Sequence, residues 1–286
     1  MFINMKKQIY PGLWFNGNAK EAAEFYCSVF SNSEIKAESP QAIMFESSGE
    51  KFLCINGGPE FAPNPSISFF VIFEDKKELD KAWEKLIENG KVLMALDQYE
   101  WSARYGWLED KFNISWQLAL EEVENVGQVF TPSLLFTGDQ NGKAEEAVHY
   151  YTSIFTNSGI VGIHKYSGKG DDIKGNVAHA QFTLNGNVLM AMDSSHTHQF
   201  VFNEGISLVV ECSTQKEIDY LWEKLSAVPE AEQCGWLKDK YGISWQIIPE
   251  SLNQMMTHPY KSGQVAEAFM KMKKLNISKL EEAFEA

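Results

Sequence analysis

His179 is the residue whose type and position suggest chemistry. It lies in Val177–Leu184, which alternates like a β-strand, so its side chain shares a face with Gln181 and Thr183. An imidazole with a near-neutral pKa suits a general base or a substrate anchor. Asp193 ends the next predicted strand and could orient the ring. We predict His179 and Asp193 as candidate catalytic residues; the alternative is a histidine that is simply hydrogen-bonded beside the sheet.

Aromatic residues form a second candidate group near two later strands. Tyr105, Trp107 and Trp236 precede those strands, whereas Gln117 and Gln246 lie within them, next to Trp116 and Trp245. Clefts lined by aromatic side chains with a few polar groups suit small planar or apolar ligands. For Trp116 and Trp245 the alternative is core packing, and the two glutamines then point to the opposite face.

These candidates occur in two copies of one sequence unit. The segment from Gly106 to Gln117 returns as Gly235 to Gln246, with nine of its twelve positions identical. Earlier segments match in the same order, including Trp83 to Leu86 with Trp222 to Leu225. The chain is therefore a tandem duplication.

The periodicity of each copy predicts a strand, a helix and further strands, and then the same series again. Apolar residues from Ala22 to Phe30 follow helical spacing, and Asn185-Gly186 marks a hairpin. Asp75-x-x-Glu78 and Thr214-x-x-Glu217 are capping-box patterns that start the second helix of each copy. We predict an α+β fold with domains at residues 8–120 and 131–250. A helical extension follows at 251–286, with Ser278 capping its last turn.

Composition narrows the functional classes. The net charge is −14, which argues against nucleic acid because phosphate binding needs clustered lysine and arginine. No apolar run approaches the ~18 residues that span a bilayer. Residues 1–10 contain lysines, but no apolar stretch with a small-residue cleavage site follows, so we expect no signal peptide. The four cysteines form no CxxC pair, and we expect a cytoplasmic protein with reduced thiols.

The opening of each copy and its later motifs resemble the vicinal-oxygen-chelate (glyoxalase/bleomycin-resistance) superfamily. Within it the chain is similar to the PhnB-like group, often labelled "3-demethylubiquinone-9 3-methyltransferase domain". The residues that carry this are Leu53 to Pro59, Phe202 to Ser207, Gln233 to Leu237 and Ile243 to Gln246. The resemblance implies paired βαβββ units with a half-open mixed sheet, whose final strands wall a cavity. On this basis we predict Gln117, Gln246, Trp107, Trp236 and Tyr105 as ligand-binding residues.

Glyoxalase-type relatives would hold a divalent metal on the first, fourth, fifth and last strands of a paired unit. Alignment places at these four positions residues that are poor ligands as a set: Pro11 and Pro132, Asn56 and Asp193, Ser66 and Gly205, Gln117 and Gln246. A hard cation needs several converging oxygen or imidazole donors. We therefore expect no metal and no cofactor. We also consider the methyltransferase label unlikely, because no strand, Gly-rich turn and helix combine to bind S-adenosylmethionine.

Three hypotheses for function follow. The first is a metal-free small-molecule-binding protein. The second is a lyase, isomerase or dioxygenase that uses a metal or His179. The third is a regulatory partner that uses the acidic surface and the helical extension. The duplication also predicts an intramolecular pseudo-dimer, with a further homodimer open, and the histidine marks residues 131–250 as the working half.

Overall fold

The computed structural model describes residues 9–286, so residue 8, where the first predicted domain begins, lies outside the described range. The first copy forms eight strands and two helices: β1 Ile9–Phe15, α1 Ala19–Val29, β2 Ser33–Glu38, β3 Ala42–Ser47, β4 Glu50–Asn56, β5 Ile67–Phe73, α2 Lys76–Leu86, β6 Lys91–Tyr99, β7 Ser102–Glu109 and β8 Ser115–Leu120. A short helix, α3 Val123–Val126, links it to the second copy.

The second copy repeats this order with one strand fewer. Its elements are β9 Phe130–Phe136, α4 Ala144–Ile154, β10 Gly159–Lys165, β11 Val177–Leu184, β12 Asn187–Asp193, β13 Ile206–Cys212, α5 Gln215–Leu225, β14 Trp236–Lys238 and β15 Ser244–Pro249. Short 3-10 helices lie at Gly138–Gln140 and Pro229–Ala231. Three helices end the chain: α6 Leu252–Met256, α7 Ser262–Met270 and α8 Ile277–Glu285. The predicted α+β class with a helical extension is confirmed.

The strands form two mixed sheets, and each sheet combines strands from both copies. The seven-stranded sheet has the order β14-β15-β13-β1-β4-β3-β2, and the eight-stranded sheet has the order β10-β11-β12-β9-β5-β8-β7-β6. The copies join through two antiparallel pairs, β1 with β13 and β5 with β9. Neither sheet therefore consists of one copy alone, and the predicted pseudo-dimer forms within the chain.

The main core lies between the two sheets. Phe52 of the seven-stranded sheet contacts Phe69 of the eight-stranded sheet, with ring centroids 5.7 Å apart. Helices α1, α2, α4 and α5 contribute their apolar stripes to the same cluster. Trp116 and Trp245 are fully buried there, so they are core residues and not ligand contacts. Each sheet consequently has an outer face that points away from this core.

The aspartate of the repeated segment, Asp110 or Asp239, is the centre of a buried hydrogen-bond network. In the second copy the Asp239 carboxylate accepts from the backbone N–H groups of Tyr241 and Ile243, from Trp245 Nε1 at 2.8 Å and from the Tyr151 hydroxyl at 2.7 Å. Asp110 has the equivalent four partners in the first copy. The motif therefore fastens the turn before the last strand to the first helix.

Helix starts agree with the capping patterns except in the extension. Asp75 accepts from the N–H groups of Lys77 and Glu78, and Thr214 accepts from that of Glu217. The expected Ser278 cap is wrong. Asn276 caps α8 instead, and its side chain accepts from Lys279 N at 3.0 Å, because Asn two residues earlier already offers an acceptor to the first turn.

The C-terminal helices cover the outer face of the seven-stranded sheet. Val265, Leu275 and Leu280 are fully buried in a second apolar cluster, which also contains the strand residues Tyr10, Met44, Val209 and Ile248. We call this surface the tail face. The extension also reaches β14, where Met272 and Lys273 accept hydrogen bonds from the N–H groups of Cys234 and Gly235. It thus lies where the first copy has its additional strand β6. None of the helices in residues 9–286 is long and apolar enough to cross a membrane.

Candidate functional site

The outer face of the eight-stranded sheet is the strongest candidate site. The strand registers place Ser68, Phe70, Gln117, Thr131, Ser133 and Met190 on it, and we call it the open face. Its buried apolar residues lie outside both apolar clusters; they are Ile72, Tyr105, Ala119, Leu135, Val188 and Met190. Gln181 of the same face donates to Val126 O of α3 at 3.1 Å, so the linker helix covers part of it.

A polar network occupies the middle of the open face. Gln117 is 5% exposed; its Nε2 donates to Ser68 Oγ at 2.7 Å, and its Oε1 accepts from the Tyr105 hydroxyl at 2.7 Å. Ser133 lies directly opposite Ser68 across the pair that joins the two copies. Gln117 is therefore held rigidly, with one carboxamide hydrogen left to donate.

Thr131 presents a buried hydroxyl on the same face. It lies opposite Phe70, its exposure is 0%, and its Oγ1 has no hydrogen-bond partner among the described residues. A buried hydroxyl without a partner costs about 1–3 kcal/mol. A bound polar group would recover that cost.

Four aromatic side chains form one side of the open face, and we call them the aromatic rim: Phe70, Tyr99, Trp101 and Tyr105. The rings of Tyr99 and Trp101 stack at 5.1 Å, and both meet the Tyr105 ring edge-on, at 5.9 Å and 6.3 Å. Phe70 lies beside Tyr105 at 6.5 Å. Trp101 is 66% exposed although it is apolar. Contiguous exposed apolar patches mark binding surfaces, so a group of touching rings that includes an exposed one is a candidate for such a surface.

The sequence identified part of this rim. Tyr105 was predicted to bind a ligand, and so was Trp107, whose Nε1 donates to Ser115 Oγ at 2.7 Å on the same face. Phe70 was missed, although the alternation of Ile67–Phe73 puts Ser68, Phe70 and Ile72 on one face. Trp101 lies in the turn between β6 and β7, where no periodicity indicates its direction.

The structure brings His179 to the open face but separates it from Asp193. His179 lies opposite His164 of β10, and burial together with that second imidazole lowers its pKa below the usual value. A neutral ring at neutral pH can accept a proton. The proposed base therefore keeps a suitable position on the face, at the end opposite the aromatic rim.

Asp193 does not orient that ring. Its carboxylate accepts from the backbone N–H groups of Gly142 and Ala144, at 2.7 and 3.1 Å, and from that of Val177 at 2.9 Å. These bonds cap the start of α4 and hold β11. Asn56 does the equivalent in the first copy, where its Oδ1 accepts from Ala19 N. The expected pairing of His179 with Asp193 is thus wrong, because the helix start takes the carboxylate.

The two remaining predicted ligand residues lie on the tail face. Gln246 Nε2 donates to Ser207 Oγ at 2.8 Å, and Ser207 Oγ donates to Gly12 O at 3.3 Å. The Trp236 ring meets Trp14 edge-on at 5.7 Å. The five predicted ligand residues therefore divide between two faces. The candidate site on the open face draws on both copies, since Gln117 and Tyr105 come from the first and His179 from the second, whereas the sequence marks residues 131–250 as the working half.

The strand registers show that the first-strand prolines, which the sequence alignment puts at metal-ligand positions, do not face the outer surfaces of the sheets. Pro11 and Pro132 lie opposite Leu208 and Phe69, which belong to the main core, so both prolines point away from the outer faces. The outer-face residues at the junction of the copies are instead Ser68, Ser133, Met190 and Gln117 in the eight-stranded sheet, and Ser207, Gly12, Leu53 and Gln246 in the seven-stranded sheet.

Neither of these sets fits a divalent cation. They offer hydroxyls, amides and one thioether but no carboxylate or imidazole, and hard cations need several oxygen or imidazole donors together. Across residues 9–286, no three His, Cys, Asp or Glu side chains are grouped so that they could hold a metal ion.

A cavity of about 440 Å³ lies between the end of α1, the end of β5 and the start of α2, and Ile72 at the margin of the open face contributes to its lining. Two of its three acidic side chains already serve the fold. Asp75 caps α2, and Glu74 accepts from Val123 N at 3.0 Å. We therefore regard this cavity as a gap between structural elements.

Comparison with solved structures gives the class of fold. A glyoxalase I mutant from Zea mays superposes with a TM-score of 0.58 at 9% identity, covering 88% of this chain and 97% of that chain. Glyoxalase I from Zea mays gives 0.55 at 9% identity, covering 88% and 95%. At this identity the likeness shows the fold alone, which is a tandem glyoxalase-type fold.

The family follows from sequence. Residues 7–119 and 128–248 each match the family model described as 3-demethylubiquinone-9 3-methyltransferase, and the chain belongs to this family. It is similar to the PhnB protein from Bacillus cereus, with 35% identity, a TM-score of 0.38, and coverage of 40% of this chain and 100% of that chain. No curated protein sequence matches the chain.

Proposed function

We propose that the chain is a metal-free small-molecule-binding protein whose single site is the open face. The observation that carries this proposal is the difference between the two outer faces. The tail face is covered by the chain's own helices, whereas the open face carries an exposed aromatic ring and a buried hydroxyl without a partner. Apolar surface with a few oriented polar groups is the usual composition of a ligand site.

The pseudo-symmetry of the fold supplies the experiment. Met190 is on the open face and Met44 is on the tail face, so their methyl groups report on the two faces separately. We would label the methionine methyl groups with carbon-13 and titrate the chain with 2-naphthol, a neutral planar probe. We expect a saturable shift of the Met190 signal and an unchanged Met44 signal.

Matched variants localise the probe. Gln117→Leu removes the donor of the open face, and Gln246→Leu makes the equivalent change on the tail face. We expect weaker binding only for Gln117→Leu. Binding that saturates at Met44, or no saturable shift at Met190, would contradict the proposal.

A second candidate function is proton abstraction by His179. The position of this imidazole on the open face favours it. It predicts that the chain accelerates deuterium exchange at C3 of pentane-2,4-dione above the buffer rate and that His179→Gln abolishes the acceleration. Equal exchange rates for the two proteins would exclude this role.

A further inference from the structure

We infer that the ligand of the open face is a small organic cation, such as an aryl- or alkylammonium ion. This inference rests on the proposed function, and it concerns the charge of the ligand. Three features of the open face support it: the geometry of the aromatic rim, the charges around the rim, and the charge of the whole chain.

The aromatic rim offers ring faces at right angles. The Tyr105 ring is inclined by 87° to Tyr99 and by 69° to Trp101, so the stacked pair of Tyr99 and Trp101 stands steeply against the Tyr105 ring. A cation within ~6 Å of a ring centroid is attracted by the negative face of the ring, and tryptophan is the strongest partner. The exposed Trp101 is thus the ring best placed to receive one.

A carboxylate lies beside this rim. Asp97 of β6 is opposite Tyr105 in the strand register, which puts it on the same face, and it is exposed. Its Oδ1 accepts from Gln98 N at 2.8 Å, and no lysine or arginine in the described part of the chain forms an ion pair with it. Its charge is therefore available to a cation that approaches Tyr105.

Positive charge is scarce on the same face. Among the strands of the eight-stranded sheet, Lys91 is on this side, but it lies opposite Glu109, whose charge offsets it. Arg104 is directed to the other side and pairs with Asp80 of α2. An anionic ligand would therefore lose its hydration without gaining a cationic partner. With a net charge of −14, the chain as a whole also attracts cations and repels anions.

Three probes of nearly equal shape separate charge from size. They are phenyltrimethylammonium, tert-butylbenzene and benzenesulfonate, which carry charges of +1, 0 and −1. Titration of the full chain is followed by the methyl signal of Met94, which lies opposite Trp107 on β6, the strand that also carries Tyr99 of the aromatic rim. We expect the cation to bind about 2- to 30-fold more tightly than the neutral probe, which is the range that cation–π attraction gives between exposed and desolvated sites. The anion should bind most weakly.

Variants identify the groups responsible. Trp101→Leu keeps an apolar side chain but removes the ring face, so it should weaken the cation and change the neutral probe much less. Asp97→Asn should weaken the cation by about 5-fold at low ionic strength, and by less at high salt, because a charge ~4 Å away in water contributes about 1 kcal/mol and salt screens it. Glu223→Gln, on the exposed side of α5, is the matched control and should have no effect.

The outcomes distinguish the two proposals. Neutral or anionic binding that equals or exceeds cation binding would overturn the inference about charge and leave the binding function standing. Failure of all three probes to shift Met94, together with failure of 2-naphthol to shift Met190, would overturn the binding function itself. Preference for the cation that survives Trp101→Leu and Asp97→Asn would place the recognition elsewhere and also overturn the inference.

Discussion

Replacement of Leu280 by alanine tests whether the extension is part of the folded structure. Leu280 is fully buried in the cluster that joins α8 to the seven-stranded sheet. Truncation of a buried leucine to alanine costs about 2–5 kcal/mol, from lost burial and from the cavity it leaves. The cluster is separate from the main core, so we expect the cost to fall on the docking of the helices.

Hydrogen exchange measures this cost locally. Since every ~1.4 kcal/mol is a factor of ten in an equilibrium constant, amides of α8 should exchange at least about 30-fold faster in Leu280→Ala. Amides of β5 in the eight-stranded sheet should keep their protection. Met270→Ala is the matched control, because Met270 is 62% exposed and its truncation should change stability by less than ~0.5 kcal/mol. Unchanged protection of α8 in Leu280→Ala would refute docking of the extension on the tail face.

Three further changes test other parts of the structure. Asp239→Ala leaves four donors, among them Trp245 Nε1, without an acceptor. Each unsatisfied buried donor costs about 1–3 kcal/mol, so the free energy of unfolding should fall by more than ~3 kcal/mol. A loss below ~1 kcal/mol in urea titration would show that the network is dispensable. The pKa of His179 is lowered in the folded state, so the unfolded chain binds more protons below pH ~6.5 and the free energy of unfolding falls as the pH drops. His179→Gln should flatten this part of the dependence of stability on pH. An unaltered dependence would contradict the shift. A Cβ on Gly12 would lie 2.6 Å from both Gln246 Nε2 and Ser207 Oγ, so Gly12→Ala should lower the free energy of unfolding by ~1–3 kcal/mol in the same titration. Gly159 has open space around it, so Gly159→Ala should leave the stability nearly unchanged.

The repeat made most elements of the fold predictable. Helical spacing and capping boxes identified the first two helices of each copy, and alternation with Asn185-Gly186 identified the hairpin of β11 and β12. These signals are local, so they do not depend on the partner of each element. Pairing across the copies was not predictable in register, because alternation specifies which residues share a face but not which strand lies alongside.

The candidate site was predicted less completely for related reasons. Gln117 and Tyr105 were found because they lie beside a duplicated motif, and the structure joins them directly. Asp193 was misassigned because a carboxylate at a strand end is equally suited to cap the following helix or to serve a reaction, and the sequence does not show which N–H groups lie nearby. The docking of the extension on the tail face depends on long-range packing, which its own helical pattern does not reveal.

The pairing of β1 with β13 has a consequence for how the chain acquires its structure during synthesis. Ile9 pairs with Val210, so β1 must wait for residues from the second half of the second copy. Contacts so distant in sequence slow folding, and an unpaired strand edge invites association with other chains in the meantime. On a ribosome that adds about 5–20 residues per second, β1 is complete roughly 10–40 s before its partner emerges. A nascent chain that carries the first copy alone exposes the edges of β1 and β5, which are paired in the full fold, and a second nascent first copy offers the same edges. Misassembly between nascent chains is therefore most favoured when ribosomes follow one another closely on one messenger RNA.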